Sequence, residues 1–446
     1  MTLPATTLYL ITLLEQAGFS AYVVGGCVRD SLLGNTPSDW DLCTCAIPEQ
    51  VSAVLQTAGI TVHQTGLQHG TITAVLDHKP YEITTFRTES TYTDHRRPDA
   101  VQFTKNLHKD LARRDFTVNA MAFHPLRGLI DPFGGQQDLQ AGIIKCVGAP
   151  TQRFEEDALR ILRALRFAST LGFTLEAQTA HAAHKTCATL NLIAKERIAV
   201  ELTKLLCGKH VREVLLAHRE IIFAVLPQLR ELSGFDQHTP WHCYDVYEHS
   251  CVAVEAVPPE PHLRWAALLH DIGKPACFFM RDGTGHFHGH PQVSERIAHN
   301  ICDYLKFSRK LKEQVLTLVA NHELRLLEDD VKPTRLRKLL GKFGEATLLD
   351  LLLLNRADVT AQAPEKRDRL KNYEPIRQAV LDLVHQAVCV TRKQLAINGD
   401  DLISLGLHGT SLGNMLNLLL QEVLEGRLVN DRKILLAWAV DNSHKI

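Results

Sequence analysis

Neither sign of charge dominates this chain. Its 49 lysines and arginines face 50 aspartates and glutamates, a formal net charge of −1. The whole-molecule field therefore does not draw in nucleic acid, and any polyanion site must come from local basic clusters. Long hydrophobic runs are missing too: stretches such as ATLLDLLLLN are too short to cross a bilayer and are broken by acids. No membrane is expected. The opening MTLPATTLYLITLLEQAGF lacks a basic leader and carries Glu15, so it reads as an amphipathic helix rather than a signal peptide. The 11 cysteines are scattered, odd in number and without a CxxC pair, which argues against a disulfide scaffold and a zinc ribbon. Reduced, mostly buried thiols in a cytoplasmic protein fit that usage. There is no internal repeat and no low-complexity tract, and no feature fixes an oligomeric state.

What is present points to several domains, because 446 residues exceed what one hydrophobic core usually supports. Up to about residue 145, short β-rich runs (AYVVGG, WDLCT, TITAVL, YEITTFR, VQFT) alternate with helix-like segments and polar turns. Beyond residue 153 the pattern is helical to the end. The expectation is a multidomain α+β chain: an α/β head with a small mixed sheet over 1–145, then an all-α neck over 146–205, a histidine-rich helical domain over 206–370 and a helical tail over 371–446.

Two aspartates sit two residues apart in SDWDLCT. On a strand, Asp39 and Asp41 would project from the same face. Paired carboxylates suit two divalent ions about 3.5–4 Å apart, the arrangement used in phosphoryl and nucleotidyl transfer; solvated acids on an edge strand are the plainer reading. Just upstream, VVGGCVRD reads as strand, glycine turn and helix start. Gly25 and Gly26 would let backbone approach a phosphate there, and Arg29 would add a cation. Glu82 in YEITTFR is a candidate third carboxylate, with alternation placing Glu82, Thr84 and Phe86 on one side.

Further on, DLARRDFTVNAMAF concentrates Arg113, Arg114, Asp115 and Asn119 on a helix-like amphipathic segment. The arginines could clamp phosphates while Asp115 or Asn119 bonds a ribose; a salt-bridged surface helix is the alternative. In RFEEDALRILRALRF, Asp157, Arg160, Arg163 and Arg166 recur every three residues opposite Leu159, Leu162 and Leu165. Carboxylate plus guanidinium offers acceptors and donors in fixed planes, as reading a base edge requires. An ion-pair face such as Glu156 with Arg160, worth only about 0.3–0.5 kcal/mol, is the rival.

In order, GGxVRDxLLG, DxD, RRDFTxNAMA, DPFGG (131–135) and RFEEDALRILRALRFA resemble the class II tRNA nucleotidyltransferases, a family that includes bacterial poly(A) polymerases. The resemblance covers roughly residues 20–205, and NGDDLISLGLHGTSLGNML resembles the family's tail. It implies CCA addition to tRNA 3′ ends without a nucleic-acid template, from CTP and ATP with Mg2+. An A-adding enzyme or a poly(A) polymerase shares these motifs. By the family's EDxxR motif, Glu156, Asp157 and Arg160 would meet the incoming base, with Arg163 and Arg166 near phosphate or RNA. FRTESTYTDHRRPDAVQF corresponds to the loop that helps the family's site change from cytidine to adenosine.

A second set of residues lies in the helical part. WAALLHDIGKP places His270 and Asp271 side by side, so both meet one metal only near a helix end. With His249 in VYEHS and Asp358 in NRADVT, the order H…HD…D resembles the HD phosphohydrolases. His290 and His322 fit the two-metal version of that pattern, and Lys274 could assist a phosphate. Imidazole and carboxylate ligands suit Mn2+, Ni2+, Fe2+ or similar ions, with Asp271 a plausible bridge. The resemblance implies phosphodiesterase or phosphatase action, and a vestigial or purely structural domain is the alternative. An opposite reading makes this domain the working enzyme and the head a non-catalytic binder. The basic stretches LKFSRKLKEQ and KPTRLRKLLGK could hold tRNA phosphates.

Overall fold

The structure, a computed structural model, describes residues 1–67, 70–89, 101–386 and 388–443. Contacts divide it into two compact units: Met1–Arg230 with Tyr304–Phe307, and Glu231–Asp303 with Ser308–Ile446. This two-way division is coarser than the four segments expected from the sequence.

The first unit opens with α1 (Ala5–Gln16), β1 (Ala21–Val24), α2 (Gly26–Leu32), β2 (Leu42–Thr44) and α3 (Pro48–Thr57). An antiparallel meander follows, β3 (Thr61–Gly66), β4 (Thr71–Leu76) and β5 (Lys79–Thr85); β6 (Arg87–Glu89) pairs apart with β7 (Val101–Phe103). After α4 (Leu107–Ala112) and a 3-10 turn at Thr117–Asn119 come β8 (Ala122–His124), β9 (Gly128–Ile130) and α5 (Gly135–Ala141). The main sheet has seven strands in the order β3-β4-β5-β2-β1-β8-β9, with β2 and β5 parallel and the other pairs antiparallel. All four residues of β1 are buried. This explains why AYVV is an unbroken apolar run: both faces of the strand are covered.

Helices then take over: α6 (Pro150–Glu156), α7 (Leu159–Leu171), α8 (Ala177–Thr186), α9 (Lys195–Leu206), α10 (Val211–Ala217) and α11 (Arg219–Val225). A minimal parallel pair, β10 (Ile143–Ile144) with β11 (Thr174–Leu175), sits among them.

The second unit contains α12 (Val246–Ala256), α13 (Pro261–Leu269), α14 (Lys274–Cys277), a hairpin of β12 (Phe279–Arg281) and β13 (Thr284–His286), α15 (His290–Tyr304) and α16 (Arg309–Ala320). It continues with α17 (Pro333–Thr360), interrupted at Gly344, then α18 (Tyr373–His385), α19 (Gly399–Ile403), α20 (Thr410–Leu424) and α21 (Arg432–Asp441). Leu402, Met415, Leu419, Leu435 and Ala439 gather in an apolar cluster of the tail.

Five expectations change. Asp39 and Asp41 precede β2 rather than lying in a strand, although the Asp41 carbonyl still accepts from Val24 N at 3.0 Å and so extends the ladder. RRDFTVNAMAF is not one helix: α4 stops, Asp115 bonds the Phe116 N–H at 2.8 Å, and a 3-10 turn leads into β8. The helix of RFEEDALRILRALRF breaks at Asp157 (φ −141°, ψ 101°), whose carboxylate accepts from Leu159 N at 3.1 Å. The region after residue 153 is not purely helical, because Asp282 (φ 50°) and Gly283 (φ 74°) close the β12–β13 hairpin. Phe86 also leaves the line of Glu82 and Thr84: β5 ends at Thr85 and Phe86 turns into the core, 1% exposed.

The DPFGG turn shows why small residues are needed. A Cβ at Gly135 would lie 2.2 Å from the Thr117 carbonyl oxygen and 2.9 Å from Met121, so α5 could not reach the 3-10 turn. Gly413 in α20 has nothing within 4 Å. Gly135→Ala should therefore destabilise the chain by about 1–3 kcal/mol, while Gly413→Ala should stabilise it by roughly 0.5–1 kcal/mol, both read from urea unfolding midpoints.

Candidate active site and a second metal-type centre

The head site begins with three acids. Burial pushes the Asp41 carboxyl up to about 6, and the negative charges of Asp39 and Glu82 push the same way, opposed by Arg114. Carboxylates gathered around Asp41 are the donor set that fits hard divalent cations such as Mg2+.

Beside the acids, Gly25 (φ 82°) caps α2, and a Cβ there would meet Arg114 Nη1 at 2.9 Å. Gly26 opens the helix and Arg29 lies on it, 9% exposed, donating from Nη1 to Asn119 Oδ1 at 2.6 Å. Asn119 Nδ2 donates to Asp115 Oδ1 at 3.2 Å. The other Asp115 oxygen accepts from Arg163 Nε (2.9 Å) and Nη2 (2.6 Å). With both oxygens occupied, Asp115 positions Arg163; a ribose contact would require it to release a donor. Arg163 and Arg166 both face Glu201 of α9, at 3.8 and 3.0 Å. Arg29, Arg163 and Arg166 lie 5.0, 5.6 and 4.0 Å from the Phe167 ring.

Arg113 and Arg114 turn back onto the fully buried Asp110, at 2.8 and 3.5 Å. Glu156 accepts from Arg153 (2.9 Å) and Arg160 (2.7 Å). Asp157, outside both helices, pairs with Arg197 of α9 at 3.1 Å. Sequence reasoning missed Asp110, Arg197, Glu201 and Phe167. The i, i+4 pair Arg197 and Glu201 in ERIAVE was the available signal. The expected cytidine-to-adenosine loop spans 86–103, of which residues 90–100 lie outside the described ones.

In the second unit, His249, His270, Asp271 and Asp358 form one group with all ligand atoms within 4.8 Å, and Asp271, His290 and His322 form another. Asp271 is shared. Its Oδ2 lies 3.1 Å from His270 Nε2 and 3.4 Å from His249 Nε2; its Oδ1 lies 3.1 Å from His290 Nε2 and 3.6 Å from His322 Nε2. Asp358 Oδ1 is 3.0 Å from His249 Nε2. His270 is the C-cap of α13, its own backbone still helical (φ −58°, ψ −38°), so the two ligands meet at a helix end.

The outer shell sets the tautomers. The Nδ1 atoms of His249, His270, His290 and His322 face the carbonyls of Ala361, Ala267, Phe287 and Val319 at 3.2, 2.8, 3.0 and 2.7 Å. A carbonyl only accepts, so each Nδ1 carries a proton and each ring turns its Nε2 inward. Nε2 atoms then oppose one another at 3.3 Å (His249, His270) and 3.0 Å (His290, His322). Four imidazole nitrogens turned inward beside two carboxylates form a donor set that fits cations bound by nitrogen and oxygen. Burial would push the Asp271 carboxyl up, but His270 and Lys274 hold it well below the ordinary range; His249 and His270 likewise outweigh burial at Asp358.

The head's mixed sheet, its carboxylate set and the arginines around it define a nucleotidyltransferase. Family descriptions match in three places: "Poly A polymerase head domain" over residues 21–145, "Probable RNA and SrmB- binding site of polymerase A" over 172–232, and "tRNA nucleotidyltransferase domain 2 putative" over 289–439. A CCA-adding enzyme of Leuconostoc mesenteroides is 34% identical over 435 residues, 96% of this chain and 94% of that protein. One of Lactiplantibacillus plantarum is 50% identical over 202 residues, 45% of this chain and 48% of that one. The crystal structure of the Bacillus stearothermophilus CCA-adding enzyme in complex with CTP superposes with a TM-score of 0.71 at 29% identity, covering 100% of this chain and 99% of that one. The chain belongs to the CCA-adding enzyme family.

Asp115 supplies a stability test. Burial raises its carboxyl's proton affinity, but Arg163, Asn119 and the Phe116 N–H together lower it from 3.8 to about 2. A depressed carboxyl contributes stability above its unfolded value, lost as pH falls through about 2. Asp115→Asn should cost about 1–2 kcal/mol at pH 7, discounted for the part-exposed Arg163. In unfolding curves the gap from the parent protein should narrow between pH 4 and pH 2.

Proposed function

We propose that this protein completes tRNA 3′ ends, adding CCA from CTP and ATP without a nucleic-acid template. The convergence of Asp39, Asp41 and Glu82, with Asp41 pushed up to about 6, carries the reading, together with membership of the family. Asp39 and Asp41, with Glu82, hold Mg2+. Bound there, the ions favour deprotonation of the RNA 3′ hydroxyl and balance charge on the leaving pyrophosphate. Gly25 and Gly26 bring backbone close to the triphosphate, while Arg29, Arg113 and Arg114 supply cations to it. Asn119 orients Arg29 and stands nearest the ribose role. Asp157 and Arg160, steadied by Glu156, present the acceptor and donor edges that select cytosine and adenine, and Arg163 and Arg166 face phosphate or RNA. The basic stretches at 305–314 and 332–342 add salt-dependent grip on tRNA. Free thiols throughout, with no described helix long and apolar enough to cross a membrane, accord with a cytoplasmic protein.

A second activity is favoured by the two acceptor groups that share Asp271. We infer a pair of transition ions there, Mn2+, Ni2+ or Fe2+, held by His249, His270, Asp271 and Asp358 on one side and by Asp271, His290 and His322 on the other. The reaction is phosphoester hydrolysis: a water oxygen bonds to phosphorus, the ester P–O bond breaks, and the water's proton ends on the leaving sugar oxygen. The suggested substrates are 2′,3′-cyclic or 3′-terminal phosphates, which would block extension.

The test uses tRNA ending at the discriminator base, after C or after CC, with Mg2+ and CTP, ATP or both. Stepwise addition that stops at CCA is expected, and Asp41→Ala should lose far more than the about 10–100-fold typical of an outer-shell partner. Addition to the CC end alone would indicate an A-adding enzyme, and long A tracts a poly(A) polymerase. Asp271→Ala should abolish bound transition metal, measured by elemental analysis, and phosphoester hydrolysis while leaving incorporation intact. If Asp271→Ala instead abolishes the main activity and Asp41→Ala spares it, the head is the non-catalytic part.

A further inference from the structure

A cavity of about 380 Å³ opens over the second centre, large enough for a nucleotide. Asp271, His290, His322 and Asp358 contribute to its lining, and so do Lys274, Trp241, Arg325 and Arg369. Two of its three Lys or Arg side chains are engaged. Lys274 is 2.7 Å from Asp271 and donates to Gln237 Oε1 at 2.8 Å; Arg369 donates at 2.6 Å to both Glu328 and Gln362. Arg325 has no hydrogen-bond or ion-pair partner among the described residues.

The backbone at Arg325 is also unusual. Its φ is 45°, left-handed, where a long side chain is disfavoured and persists only when neighbours hold it. They do so here. The Leu324 carbonyl accepts from Arg335, Leu326 N donates to Asn355 Oδ1 at 3.0 Å, and Asn355 Nδ2 reaches the carbonyl of His322 at 3.5 Å. An exposed, free guanidinium thus rises from held backbone three residues beyond a metal-type ligand. Trp241 is anchored as well: its carbonyl accepts from Ala363 N at 2.9 Å, and Lys366 and Arg369 lie 4.6 and 5.2 Å from its ring. The indole stays 44% exposed at the cavity.

A phosphate held on two ions beside Lys274 would not need Arg325. A free cation and an exposed indole beyond the ions match a ligand with a base and a second phosphate. We propose that this cavity takes the 3′ end of an RNA chain in preference to a mononucleotide, with Arg325 receiving the phosphodiester next to the scissile phosphate and Trp241 stacking on a base. The proposal rests on the phosphohydrolase reading of the same centre.

The probes are a labelled trinucleotide with a 3′-phosphate and the matching mononucleoside 3′-phosphate, tested on the full chain. In EDTA, with CTP saturating the head, Arg325→Ala should weaken trinucleotide binding by about tenfold and reduce its salt dependence by about one phosphate contact, with Arg325→Lys restoring part of both. With Mn2+, the same variant should raise KM for the trinucleotide at unchanged kcat and leave the mononucleotide untouched. Trp241→Ala should weaken the trinucleotide by a similar factor. Equal losses on both probes, or none on either, would overturn the proposal. If the parent protein hydrolyses neither probe, the phosphohydrolase reading fails and the binding measurement in EDTA decides the Arg325 assignment. Retained CCA addition by each variant shows that it is folded.

Discussion

An alternation of buried charge anchored on Asp115 governs the first unit. Arginine cannot shed its proton inside a protein, so each buried guanidinium must find a carboxylate or an aromatic face. Arg29, Asn119, Asp115, Arg163, Glu201 and Arg166 meet that demand in one chain of contacts running from α2 through the 3-10 turn to α7 and α9, with Phe167 beneath three of the cations. The full chain of contacts closes only when the glycine turn, the head's 3-10 turn and the neck helices are assembled together, although Arg29 also keeps Asp30 on its own helix at 2.7 Å. The ion pairs add less through net energy than through specificity, because misplacing one leaves its neighbour buried and uncompensated.

Both centres are then places where the protein stops short of neutralising itself. In the head, Asp39, Asp41 and Glu82 are left to repel one another although Arg114 is close enough to oppose them. In the second unit, four backbone carbonyls hold the Nδ1 atoms, so four Nε2 atoms crowd inward around Asp271 and Asp358. Each is a local conflict inside a fold that resolves its other charges, and such conflicts concentrate where ligands are bound.

The residues adjacent in sequence were the legible ones. GGCVRD, DxD and RRDFTVN each keep their residues within a few positions, and it is their resemblance, taken in order, to the nucleotidyltransferase motifs that pointed to a function. What pairs at a distance was not legible. Asp110 collects Arg113 and Arg114 and also takes the Arg87 N–H, but reads in sequence as one more acid on an amphipathic helix. Arg197 and Glu201 lie about 40 positions from the side chains they meet, and nothing in α7 names them. Helical periodicity ran straight through Asp157 because the residues on either side are good helix formers. The break comes from tertiary pairing with Arg197 and from the local bond to Leu159 N. The β12–β13 hairpin was announced by Asp282-Gly283 and was masked by the glycine and histidine content around it.

On the proposed reading, the donor sets also explain why extension and hydrolysis at an RNA 3′ end would take separate centres. Nucleotidyl transfer needs ions that exchange with each nucleotide, and an all-carboxylate set favours hard, labile cations such as Mg2+. A hydrolytic pair profits from ions that stay in place and activate water at neutral pH, which imidazole ligands with fixed tautomers favour. One centre built for both would bind either ion too weakly or too tightly for one of the reactions. Because Asp39, Asp41 and Glu82 share no residue with the six candidate ligands of the second unit, the metal preference of each would be set by its own outer shell: Arg114 beside the acids, and four backbone carbonyls behind the histidines.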